Sequence, residues 1–255
     1  MLFSTTLQPA SEATPPTSQN SLTSQNSPTS QTCPISQISQ QTALSEFIND
    51  AAFPCVGAKS ALNKGRMRFA KYSSLGSTSD AISLCARLRK FSDEFPDPGT
   101  SPVSFIAMFR NPVPDEKTFE TALWLHLQLM HEHDRLDFEW DRAVDSDPSS
   151  NDFSFSIGGR AFFVVGLHQT ASRVSRRAPF PCLVFNFHSQ FQALKSSGKF
   201  QSMQTVIRAR DIELHGSVNP VLERFGAASE ARQYSGRAVA DDWRCPFTSR
   251  EAADA

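Results

Sequence analysis

The chain has 255 residues, a formal net charge of −1 and 39 % hydrophobic residues; with a polar N-terminus set aside, about 200 residues remain to bury one core. Balanced charge excludes a global electrostatic pull on nucleic acid or an anionic membrane, so any charged ligand must be drawn locally. Five cysteines without a CxxC pair exclude a disulfide framework or a zinc site.

Nothing reaches the roughly 18 uninterrupted apolar residues of a membrane span. Met1-Leu2-Phe3-Ser4 has neither a basic n-region nor a sustained apolar h-region, and the first 58 residues lack the arginines that a transit peptide would require. The expected setting is a reducing, cytoplasmic one, with no membrane and no nucleic-acid partner.

Residues 1–42 are built from Ser, Thr, Gln, Asn and Pro, with a hexad echo in Thr17–Leu22 and Thr23–Pro28. Such a segment buries too little apolar area to offset its chain entropy and is expected to be a disordered tail. From Ala43, Leu44, Phe47 and Ile48 stand at helical spacing, and a short helix follows Phe53-Pro54-Cys55 through Leu62. Arg66–Tyr72 alternates as a strand. Gly76-Ser77-Thr78 caps a helix from about Asp80, with Ile82, Cys85, Leu88 and Phe91 on its apolar face. Val103–Phe109 is a buried strand, and a long helix with an acidic first turn then carries Phe119, Leu123, Leu127 and Met130 inward.

Phe153–Ile157 alternates strictly, and Gly158-Gly159 is a two-residue hairpin turn that returns the chain along Ala161–Leu167. Leu183–Phe185 gives one more strand. Helices are expected from Ser189 to Gly198 and from Phe200 to Leu214, and Gly216–Phe247 is expected to wrap the sheet without adding a core layer. A hairpin together with strands separated by helices predicts an α+β fold: a single domain, 43–255, with a largely antiparallel sheet covered by helices.

The stretch Phe162–Phe191 carries the chemistry. Two apolar strands end in His168 and His188, and strand ends are where sheets place functional groups. Each imidazole is a possible metal ligand or general base, or a loop residue. Between them Arg173, Arg176 and Arg177 fall at i, i+3 and i+4, so on a helix they share one side, as a solvated basic face or as an anion site. His126, His131 and His133 look metal-like, but two of them are two turns apart, about 10 Å of rise, which favours a solvated helix end. Cys55 and Cys245 sit in Pro-Cys and Cys-Pro contexts as buried thiols, with haem ligation as the alternative.

An ordered series of motifs then carries a resemblance: Gly166-Leu167-His168 with Ala171-Ser172-Arg173 and Arg176-Arg177, Val184–Phe191, Ile207–Asp211, Ser229–Gly236 and Trp243–Phe247, preceded by Phe53-Pro54-Cys55. Together they resemble the YqcI/YcgG family, which includes haem-dependent N-hydroxylases of the guanitoxin-biosynthesis type. Gln169 and His215 depart from that pattern. The resemblance implies a monooxygenase with haem b, dioxygen and an electron-donating reductase, acting on a guanidine or amine such as arginine. It implies His168 as axial iron ligand, with His188 as the other contender or a distal acid–base group. Arg173, Arg176 and Arg177 would pair with the propionates, and Glu230 with Tyr234 would meet a cationic substrate. The same ligand set would equally serve a non-enzymatic haem-binding or sensing protein.

Overall fold

A computed structural model describes residues 39–217 and 228–249; of the expected tail, everything up to residue 38, with Glu12 and Cys33, lies outside them. The last tail residues are helical: Ser39 caps α1 (Gln40–Asn49) by accepting from Thr42 N, so the fold begins a few residues before Ala43. All described residues belong to one unit.

The remaining elements are α2 (Val56–Asn63), β1 (Met67–Tyr72), α3 (Thr78–Glu94), β2 (Ser104–Phe109), α4 (Glu116–Asp134), β3 (Phe155–Ile157), β4 (Arg160–Leu167), a 3-10 turn (Val174–Arg176), β5 (Cys182–Phe187), α5 (His188–Ser196), α6 (Lys199–His215) and α7 (Ala231–Tyr234). The strands form one sheet in the order β1-β2-β5-β4-β3. Only β1 and β2 run parallel, because α3 crosses between them; the other pairings are antiparallel. The expected α+β class and largely antiparallel sheet are therefore what the chain adopts.

Helices cover both faces, which explains why all six residues of β2 are buried. Alternation divides them: Phe105, Ala107 and Phe109 pack with α3 and α4, while Ile106 and Met108 pack with α1 and α2. The α3/α4 face is dense and aromatic, with Phe119, Leu123, Leu127 and Met130 of α4 fully buried. Gly158 and Gly159 both take positive φ in the hairpin turn. There, left-handed backbone costs glycine least.

Three expectations need correction. On α3, Cys85, Leu88 and Phe91 are buried as expected, but Ile82 is exposed at 41 % and Ala81 and Leu84 complete the inward face in its place. His126 and His131 of α4 are buried rather than solvated: His126 Nδ1 accepts from Gly76 N at 3.1 Å, and His131 meets Trp140 and Phe247 edge-on. Finally, the C-terminal segment enters the core. Tyr234 and Phe247 are buried, and Tyr234 stacks on Trp124 with centroids 5.5 Å apart.

Candidate functional site

On the other face of the sheet the covering layer leaves a gap. Between α1–α2 on one side and α5–α6 on the other lies a cleft of about 250 Å³, partly open to solvent. Its walls are apolar: Phe53, Met67, Ile106, Phe163, Val165, Val184, Phe191, Phe200, Met203 and Ile207. These are the residues that alternation sends away from α3 and α4. Amphipathic patterning puts Met203 and Ile207 of α6 against the cleft, whereas Val206 is exposed.

Most polar groups in the cleft are committed to scaffolding. Gln190 accepts from Val103 N and donates to Ser101 O, tying α5 to the loop before β2. Ser104 Oγ donates to Asn186 Oδ1 at 2.6 Å. Asp211 pairs with Arg173 at 2.5 Å, both side chains nearly dry, and this pair pins α6 to the 3-10 turn.

Arg176 and Cys55 are different. The Arg176 guanidinium donates only to carbonyls, Gly166 O at 2.9 Å and Gln233 O at 3.3 Å; among the described residues it makes no ion pair. Burial, reinforced by the neighbouring Arg173 charge, brings its pKa down to about 10, so it remains a cation at neutral pH. Cys55 is the N-cap of α2, and its Sγ accepts from Ala58 N at 3.4 Å. Burial raises its thiol pKa, while the Ala58 and Gly57 amides and the Arg176 charge oppose that rise.

The residues expected at the site are spread over the molecule. His168 falls on the α3/α4 side, where its ring stacks on Phe119 at 4.2 Å. Its Nδ1 pairs with Thr170 Oγ1 at 3.0 Å, and its Nε2 is buried without a hydrogen-bond partner. Burial holds its pKa near 4. His188 begins α5, bonded to Gln192 Nε2 at 2.9 Å, with its pKa lowered by burial; neither histidine lines the cleft.

Nor do the three arginines share a helical side, since the segment makes a single 3-10 turn. Arg173 is buried against Asp211, Arg176 enters the cleft, and Arg177 is exposed and donates to Ala171 O and Ser172 O. Glu230 and Tyr234 sit together in the core, 2.6 Å apart, away from the cleft lining. Burial raises Glu230 to a pKa of about 8. His215 is exposed at the end of α6.

Sequence reading missed the cleft residues Asp211, Gln190 and Asn186. Asn186, the one polar residue inside the strand Cys182–Phe187, was the available signal.

The fold and cleft define the class: an α+β domain with an apolar cleft on one face of a mixed sheet. The chain belongs to the YqcI/YcgG family, whose model matches residues 44–248. No curated protein and no solved structure matches it. Among the described residues no helix is long and apolar enough to cross a membrane, and no group of three or more His, Cys, Asp or Glu side chains is placed to hold a metal ion.

The chemistry of the cleft fits the haem that the resemblance implies, because a porphyrin needs apolar walls, one protein ligand and a cation for its carboxylates. Cleft size accommodates only part of it. A cavity of about 150 Å³ takes a benzene, so a cleft of about 250 Å³ suits a group of amino-acid size, and a macrocycle would reach beyond it into solvent. At His168 Nε2, which water cannot reach, there is no comparable space.

Proposed function

We propose that the chain is a haem-dependent oxygenase that hydroxylates a nitrogen of a guanidine- or amine-containing small molecule, with the cleft as its site. The observation carrying this reading is the partly buried Arg176 cation, which makes no ion pair among the described residues and is set in apolar walls beside a thiol. A guanidinium partly withdrawn from water favours an anionic ligand, since lower polarity strengthens its attraction for a carboxylate.

Arg176 would hold a propionate, the aromatic and aliphatic walls would exclude water, and Asp211 is the only carboxylate among the described lining residues. Asp211, rather than Glu230, would therefore face a cationic substrate, sharing its charge between that substrate and Arg173. Bound haem would supply dioxygen activation. One oxygen atom enters the N–H bond and the other leaves as water, with two electrons and two protons coming from an external donor and solvent.

The test is turnover by the haem-loaded protein with a reductase, dioxygen and a panel of guanidines and amines that includes arginine. A product heavier by one oxygen is expected. Stoichiometric haem without any hydroxylated product would leave only a haem-binding or sensing role, and failure to take up haem would overturn both.

A further inference from the structure

Iron in the cleft needs a protein ligand, and the sulfur at the start of α2 meets that need. We infer that Cys55 is the axial ligand of the haem, its thiolate coordinating iron from the wall of the cleft. This inference rests on the haem reading above.

Position comes first. Cys55 lines the cleft, no histidine does, and the other sulfur-bearing residues along it are the thioethers Met67 and Met203. The remaining described cysteines are elsewhere: Cys85 donates to Met130 O in the α3/α4 core, Cys182 donates to Phe180 O, and Cys245 packs against the aromatic core.

Local structure suits an anionic sulfur. As the N-cap of an eight-residue helix, Sγ receives the Ala58 N–H, and the amide ends of a helix favour negative charge. Gly57 lies beside both sulfurs of the cleft: a Cβ there would stand in ordinary contact with Cys55 Sγ at 3.8 Å and Met203 Sδ at 3.7 Å.

The independent observation is Arg176. Arg176 is partly buried and donates only to two neutral carbonyls, while Asp211, the one carboxylate among the described lining residues, is paired with Arg173; the cleft therefore carries a cation without a carboxylate of its own. A haem bearing carboxylates and bound through a thiolate supplies the negative charge. Coordination is a simple exchange: the S–Fe bond forms as the S–H proton passes to solvent, with no oxidant or reductant consumed. The thiolate then pushes electron density onto iron, which favours oxygen activation over reversible oxygen binding.

The deciding measurement is the absorption spectrum of the ferrous–CO adduct, with ferric electron paramagnetic resonance as a second readout. It is made on the full chain loaded with haem, and on Cys55→Ser, His168→Gln and His188→Ala. Serine keeps an oxygen to accept from Ala58 N, so the cap survives; circular dichroism and melting check the fold of each variant.

The wild-type adduct is expected at the long-wavelength position of thiolate ligation. Cys55→Ser should shift it to the short-wavelength position or lose haem, while both histidine variants keep the wild-type band. A wild-type band at the nitrogen-ligated position overturns the inference whether or not Cys55→Ser folds, as does a spectrum indifferent to Cys55→Ser, and the haem reading survives either result. No haem uptake by the wild-type chain overturns both.

Discussion

Gly166 marks the tightest approach in the fold. A Cβ there would lie 2.5 Å from Phe119 Cε1 and 2.8 Å from the Tyr234 carbonyl oxygen, so α4 and α7 close on β4 only because this residue lacks a side chain. Gly166→Ala should cost about 1–3 kcal/mol, the usual penalty of overpacking, read as a lower denaturation midpoint at constant slope; an unchanged midpoint would contradict the contact. Nearby, the Tyr234 hydroxyl accepts from Phe155 N at 3.1 Å, faces Phe162 O at 3.3 Å and touches Glu230 at 2.6 Å. All three contacts are satisfied at once if Glu230 is a neutral acid: its O–H and the Phe155 N–H donate to the tyrosine oxygen, which donates to Phe162 O. Burial supports that state, raising Glu230 to a pKa of about 8 against about 4.3 in an unfolded chain. The folded state thus holds a proton that the unfolded state has released. This stabilisation is complete below the unfolded value and fades as pH rises through about 8, by about 1.4 kcal/mol per pH unit within the window. His126 and His168, both held near 4 by burial, act oppositely between about 4 and their unfolded value near 6.5. The clean measurement is therefore the stability of Glu230→Gln relative to wild type across pH. The variant should gain on wild type from pH 5 to pH 8, and parallel curves would show that Glu230 is ionised throughout. Nothing in the segment around Ser229–Gly236 has a periodicity that signals burial, so a core acid there looks like a substrate-facing one in sequence.

Among the elements, those with strong periodicity were legible in sequence. The α4 stripe, the Gly-Gly hairpin and β2, apolar apart from Ser104, needed only side-chain spacing, and the α+β class followed from their order. Where the pattern was ambiguous, tertiary structure decided. Arg173, Arg176 and Arg177 have helical spacing, yet the following Pro179 disfavours helical backbone at Ala178, and one 3-10 turn is all that forms. His168 and His188 end adjacent strands, but a side-chain period of two sends Leu167 into the cleft and His168 to the opposite face. A one-residue difference in phase, invisible without the sheet, separates a cleft residue from a core residue. The cleft itself was not legible, because it is assembled from residues distant in sequence, from Ile48 to Gln233. One of its fixings invites a test at the level of elements. The Arg173–Asp211 pair joins the 3-10 turn to α6 in nearly dry surroundings, so Asp211→Asn strands a buried cation. The expected loss is about 3–5 kcal/mol, and a loss below about 1 kcal/mol would mean that water already reaches the pair.

At the scale of the whole molecule the two faces of the sheet have different jobs. One is closed by α3, α4 and the C-terminal aromatics, and the other is held partly open by α1–α2 and α5–α6. The most protected amides should accordingly lie in the central strands β2 and β5. The three-residue edge strand β3 should exchange sooner, because fewer contacts break when it opens. Hydrogen exchange resolved by strand checks this, and equal protection across the sheet would contradict it. The insertion of Tyr234 and Phe247 into the core also bears on how the protein is born. Domains fold as their sequence leaves the ribosome, but here Trp124 and Phe153 wait for ring partners that are translated about a hundred residues later. Until then the growing chain carries an uncovered aromatic surface. That surface stays uncovered through much of the second half of synthesis, and a stop codon before residue 230 would leave it exposed for good.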